Sequence, residues 1–110
     1  MNQVTYDDFT RIQIRVGKIL RAEEFPKARK PAYQLWIDFG PFGTKRSSVQ
    51  ITKLYKHEEL VGRSILAVIN FPPKQIADFT SEVLVLGVVI GDEVILVQPD
   101  RDVPPGERIL

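Results

Sequence analysis

Three clusters of cations stand out among the residues able to do chemistry: Arg11/Arg15/Lys18/Arg21, Lys27/Arg29/Lys30 and Lys45/Arg46. They are interleaved with Tyr33, Trp36 and Phe42. That combination suits a polyanion, because cationic groups neutralise phosphates while flat rings stack on bases. It equally suits a polypeptide, whose apolar side chains can be gripped by the same rings. The formal net charge of +1 conceals the asymmetry: residues 1–56 carry 11 Lys/Arg against 5 Asp/Glu, and residues 57–110 carry 4 against 9. A basic first half can supply a local positive field even in a nearly neutral chain.

Catalytic chemistry finds little to work with. His57 is the single histidine, in K-H-E-E, and one imidazole cannot assemble a multi-histidine metal site. There is no cysteine, which excludes disulfides, thiolate metal sites and cysteine nucleophiles together. The acid pairs Asp7/Asp8, Glu23/Glu24, Glu58/Glu59 and Asp92/Glu93 are sequence neighbours. On a strand, neighbours point to opposite faces, so such a pair cannot chelate as a unit. No nucleophile elbow, phosphate-cradling loop or dinucleotide fingerprint is present. The expectation is a binding protein, not an enzyme, with no metal and no cofactor.

The elements that must position these residues are short strands. Ile12, Ile14 and Val16 alternate with Arg11, Gln13 and Arg15, which predicts a half-buried strand with a basic outer face. Gly17 reads as a bulge or bend within it. Thr5-Tyr6-Asp7-Asp8 reads as a capping box opening a single helical turn that ends near Thr10. Further strands are expected over residues 33–39, with Leu35, Ile37 and Phe39 on one face, and over residues 45–51, with Val49 and Ile51 inward. Residues 53–60 read as a short helix, residues 64–69 as a central strand and residues 70–75 as a proline-stiffened loop. The apolar run at residues 83–90 is interrupted by Gly87, and residues 108–110 form a terminal strand or docked tail. Three strands, a helix and then more strands is the order of an all-β, OB-type Greek-key barrel with one short helix between strands 3 and 4. At 110 residues the chain fits one domain.

Set in that order, the residues resemble the tRNA-binding domain family, an OB-fold module found alone or attached to aminoacyl-tRNA synthetases. Within it they are closest to the stand-alone CsaA group, described as chaperone-like and export-related. The shared landmarks are F-T-R-I-Q-I-R-V-G-K-I-L at residues 9–20, W-I-D-F-G at 36–40 and K-R-S-S-V-Q-I-T-K-L-Y at 45–55. They continue with N-F-P-P-K-Q-I-A-D-F-T-S-E-V-L-V-L-G at 70–87 and Q-P-D-R-D-V-P-P-G at 98–106. The resemblance spans residues 8–110.

It implies a homodimer that holds unfolded or pre-secretory polypeptides in apolar grooves lined by Trp36, Phe42, Phe71 and Phe79. The alternative it implies is a structure-specific tRNA binder using Arg15, Lys18, Lys45, Arg46 and Lys74 on phosphates, with Asn70 and Ser81 matching the family's motif. Synthetase-type members carry Asn-Leu-x-Pro-Arg-Lys followed by Gly-Val-x-Ser-x-Gly-Met. Here Lys74-Gln75 replaces the Arg-Lys pair, Asp78 stands at the glycine and Val83-Leu84 replaces Gly-Met. One cation is lost and one acid gained, so tRNA binding should be weaker than in the synthetase appendages, while the loop becomes more apolar. No apolar run reaches the ~20 residues of a membrane span, so no membrane insertion is expected. The N-terminal residues lack an apolar signal core, and absence of cysteine fits a reducing compartment, so the expected location is the cytoplasm.

Overall fold

The computed structural model describes all residues, Met1–Leu110. Its frame is a five-stranded antiparallel sheet built from β1 (Ile14–Glu24), β2 (Tyr33–Asp38), β3 (Thr44–Val49), β4 (Ser64–Val68) and β7 (Leu84–Val85), in the order β3-β2-β1-β4-β7. The sheet curls until its two ends meet. Glu82 N–H donates to the Arg46 carbonyl, the Ser47 hydroxyl donates to the Val83 carbonyl, and Ser48 N–H donates to Oγ of Ser81. Side-chain oxygens thus take ladder positions along the seam, and the barrel closes with few backbone bonds. This is the OB-type all-β barrel expected from the order of elements.

The capping box forms as expected: Thr5 and Asp8 exchange hydrogen bonds and open helix α1 (Tyr6–Thr10). The backbone N–H of Thr5 and the Arg11 guanidinium both donate to the Asp8 carboxylate, holding its pKa below the ordinary value. The helix expected over residues 53–60 shrinks to a 3₁₀ turn at His57–Glu59. The loop expected at residues 70–75 instead runs into a hairpin, β5 (Lys74–Ile76) and β6 (Phe79–Ser81). Ala77 makes its turn with φ at 53°, a left-handed conformation that is uncommon for alanine.

The core joins Ile19, Leu35, Ile37, Phe39, Leu60 and Ile65, all essentially inaccessible, with Tyr33, Val49 and Ile51 around them. The inward row of β2 is therefore the one its alternation predicts. In β1 the prediction is inverted at its start. Arg15 lies opposite Ala67 and Gly17 opposite Ile65, both fully buried. Residues directly opposite share a face, so Arg15, Gly17 and Ile19 form the row toward the barrel interior, whereas Ile14 and Val16 lie on the opposite row, where Val16 is nevertheless only 4 % exposed. Gly17 is not the bulge; the register slips between Ile19 and Arg21. Its role is close packing, since a Cβ there would come within 2.5 Å of Ile37 and 2.6 Å of Phe39.

Beyond the barrel, β8 (Gly87–Ile90) and β9 (Glu93–Leu96) form a separate hairpin. It is tethered where Leu96 N–H donates to the Tyr55 hydroxyl at 3.0 Å. The Tyr33 hydroxyl in turn donates to the Tyr55 carbonyl, and burial pushes the Tyr33 phenol above its usual pKa. Residues 106–109 dock alongside the first part of β1, as the terminal tail was expected to do.

Candidate binding groove and basic face

The β5–β6 hairpin lies over the outside of the β1–β2–β3 sheet and largely determines what that sheet can bind. Its Phe79 packs edge-on against Trp36, with ring centroids 5.8 Å apart, and against Phe25 at 5.5 Å. Arg21, Trp36 and Arg46 face one another across β1, β2 and β3. The Arg21 guanidinium covers the Trp36 ring at 4.3 Å, and the Arg46 guanidinium lies 5.3 Å from the Phe79 ring centre. At the hairpin turn, Asp78 pairs with Lys27 at 2.7 Å. Each group favours the charged form of the other: the hydrogen bond from Lys27 lowers the Asp78 pKa, and the same bond raises that of Lys27. The acid standing at the family's glycine position thus neutralises a cation of the basic loop.

This arrangement corrects several expectations. Phe79 is 4 % exposed and belongs to a packed aromatic cluster, so it cannot line an open groove. Trp36 is half-buried, with Arg21 over its ring and Phe79 in a T-shaped contact with it, so part of its surface is already engaged within the chain. Arg46 pairs with Glu82 at the barrel seam. The Asn70 side chain accepts from Gln13 N–H at 2.9 Å and donates to the Arg11 carbonyl at 2.8 Å. It thereby acts as an extra strand residue joining the end of β4 to the entry of β1. Ser81 is likewise committed to Ser48. Phe42 lies elsewhere, beneath the Arg15 guanidinium at 4.5 Å.

What the fold does bring together is Phe71, Lys74 and Ser81. All three line a groove of about 580 Å³ bounded by the end of β3, the β5–β6 hairpin, residues 82–86 and the β8–β9 hairpin. Val83, Leu84, Val89, Val94 and Leu96 supply much of its apolar wall. Phe71 is 47 % exposed and Leu84 50 % exposed at its rim. The volume is within the usual range of ligand pockets, and an apolar lining with a few polar groups is typical of them. Lys18, Lys45 and Lys74 have no acidic partner, unlike Arg11, Arg21, Lys27 and Arg46. No group of three or more His, Cys, Asp or Glu side chains gathers in a way that could hold a metal ion.

Sequence reasoning missed the part played by residues 83–96. The apolar run interrupted at Gly87 separates into β7 and the first strand of the β8–β9 hairpin, and at Gly87 a Cβ would lie 2.5 Å from Val94. The available signal was a lack of alternation: Val88, Val89 and Ile90 are successive apolar residues, so the strand carries apolar side chains on both of its faces.

The family model described as "Putative tRNA binding domain" matches residues 14–108. The chain belongs to the tRNA-binding domain family. Its fold is that of the crystal structure of chaperone CsaA from Bacillus anthracis str. Ames, with a TM-score of 0.95 at 49 % identity, covering 99 % of this chain and 100 % of that one. The CsaA chaperone protein from Picrophilus torridus superposes with a TM-score of 0.92 at 54 % identity, covering 98 % and 100 %. A methionine–tRNA ligase from Thermotoga maritima is 36 % identical over 109 residues, which is 98 % of this chain but 17 % of the ligase. The chain therefore spans about a sixth of the length of that curated relative. No helix of the protein is long and apolar enough to cross a membrane.

Proposed function

We propose that the protein is a non-catalytic, chaperone-like binding protein of the CsaA type, which holds unfolded or pre-secretory polypeptides as a homodimer in the cytoplasm. The observation that carries this reading is the apolar groove beside Phe71. An extended polypeptide presents side chains alternately to its two sides, so one row can enter such a groove while the other stays in water. Near-half identity over the full length to two solved CsaA chaperones supports the chaperone-like reading.

The dimer is supported by the β8–β9 hairpin. Val88, Val89 and Ile90 are 50, 70 and 57 % exposed, on both faces of a hairpin. A contiguous apolar surface of this kind marks an interface, and a second copy covers it with two-fold symmetry. A monomer mass at micromolar concentration would reject the dimer.

The decisive assay is anisotropy of a labelled, permanently unfolded polypeptide titrated with the protein. Binding should persist as salt rises, because it rests on apolar burial, and should weaken in Phe71→Ala. A second reading, tRNA binding, is favoured by the family match and by the unpaired Lys18, Lys45 and Lys74. It requires affinity to fall with salt, with the log–log slope reduced by about 0.7–0.9 for each phosphate contact removed. Lys45→Glu is a cleaner probe than a change at Arg46, which also holds the barrel seam.

A further inference from the structure

Arg15 and Arg108 are paired across β1 and the docked tail. Val16 N–H donates to the Glu107 carbonyl and Ile109 N–H to the Ile14 carbonyl. Those bonds flank the two arginines, which makes them a non-hydrogen-bonded antiparallel pair, the type in which side chains approach most closely. Like charges directly opposite are destabilising, and neither guanidinium has a carboxylate partner. Arg15 donates to the Gly106 carbonyl and to the Gln13 amide oxygen, while Arg108 donates to the Thr10 carbonyl. Those acceptors are all neutral. Each guanidinium carries five N–H donors, so three bonds leave most of them unused. The Nε atoms of both residues are buried with no acceptor at all. Phe42, 42 % exposed, lies against one face of the Arg15 guanidinium.

Two adjacent, half-buried positive charges without a counter-charge form an arrangement that a bound anion would complete. A single carboxylate or phosphodiester would balance one of them. A phosphomonoester carries about 1.5–2 negative charges at neutral pH, free phosphate is readily held as its dianion between two cations, and the oxygens of either can accept from both forks. We propose that Arg15 and Arg108 form a binding site for a dianionic phosphate group, either free inorganic phosphate or a terminal phosphomonoester. The site does not involve Phe71 or its groove, so it stands or falls independently of polypeptide binding.

The test is calorimetric titration of the full chain in phosphate-free buffer at constant ionic strength, with three probes: inorganic phosphate, adenosine 5′-monophosphate and adenosine. Saturable binding of phosphate and the monophosphate, with none of adenosine, is expected. Tighter binding of the monophosphate assigns the site to phosphomonoesters, and equal or weaker binding assigns it to the free ion. Arg108→Met keeps the apolar stem and should weaken phosphate roughly tenfold or more, the scale of a lost charge-assisted hydrogen bond. Arg15→Met with Arg108→Met should abolish it. Should the double variant not fold, Arg108→Lys keeps the charge, loses the fork and should still weaken binding. The proposal is overturned if wild type shows no saturable phosphate binding, or if phosphate binds these variants as it binds wild type.

Discussion

Asn70 offers the sharpest separation between a structural role and a ligand-binding one. Its amide makes two bonds to the entry of β1, accepting from Gln13 N–H and donating to the Arg11 carbonyl. Asn70→Ala removes both. A hydrogen bond of this kind contributes about 0.5–1.5 kcal/mol net, and because the site is exposed, water recovers part of the loss. We therefore expect destabilisation of about 1–2 kcal/mol, in the lower half of the two-bond range. For a domain of this size, that lowers the melting temperature by about 4–10 °C. Asn70→Asp is the informative companion. A carboxylate can still accept from Gln13 N–H but cannot donate to the Arg11 carbonyl, against which it places a negative charge. It should be no more stable than Asn70→Ala at neutral pH. The assay is urea and thermal unfolding at one fixed protein concentration, because dimerisation would make the midpoint concentration-dependent. RNA and polypeptide titrations below the transition complete the experiment. A melting temperature within a degree of wild type, combined with weakened RNA binding, would refute the structural assignment and return Asn70 to the ligand surface.

Further expectations follow from the same contacts. Gly17→Ala should destabilise by about 1–3 kcal/mol, the range for overpacking a filled core, since its Cβ would meet Ile37 and Phe39; unchanged urea midpoints would show that the rings can yield. Phe71→Ala should lower polypeptide affinity roughly tenfold, the scale of about 1.4 kcal/mol, without moving the melting temperature by more than a few degrees. The Lys27–Asp78 pair is exposed, and its contribution depends on pH at both ends. The lowered Asp78 pKa means stability present above the ordinary aspartate range is lost as pH falls through the folded value. The raised Lys27 pKa means stability present below the ordinary lysine range is lost as pH rises through the folded value. Carboxyl NMR of Asp78 should therefore show a titration below that of a free aspartate, moving upward in Lys27→Ala; an unchanged midpoint in that variant would rule out the pair.

The class of fold is legible in the residue pattern. Turn residues divide the chain into short strands, the alternation at Tyr33, Leu35, Ile37 and Phe39 marks a buried row, and Thr5 with Asp8 specifies a helix start through bonds only three residues apart. All of these are local, so no distant partner was needed to read them. Tertiary structure alone decided which face of β1 is inward, because the strand has apolar residues on both rows. The choice depends on Ala67 and Ile65 across β4 and on the tail at residues 106–109. It also decided the binding surface. Trp36, Phe79, Arg46, Asn70 and Ser81 all have side chains suited to a ligand, and in the folded chain each is partly or wholly engaged by another segment. Whether a polar or aromatic group is free for a partner depends on contacts 30 or more residues away, such as Arg46 with Glu82 and Gln13 with Asn70. A one-dimensional pattern carries residue type and spacing, but not that long-range competition for the same hydrogen bonds and ring faces.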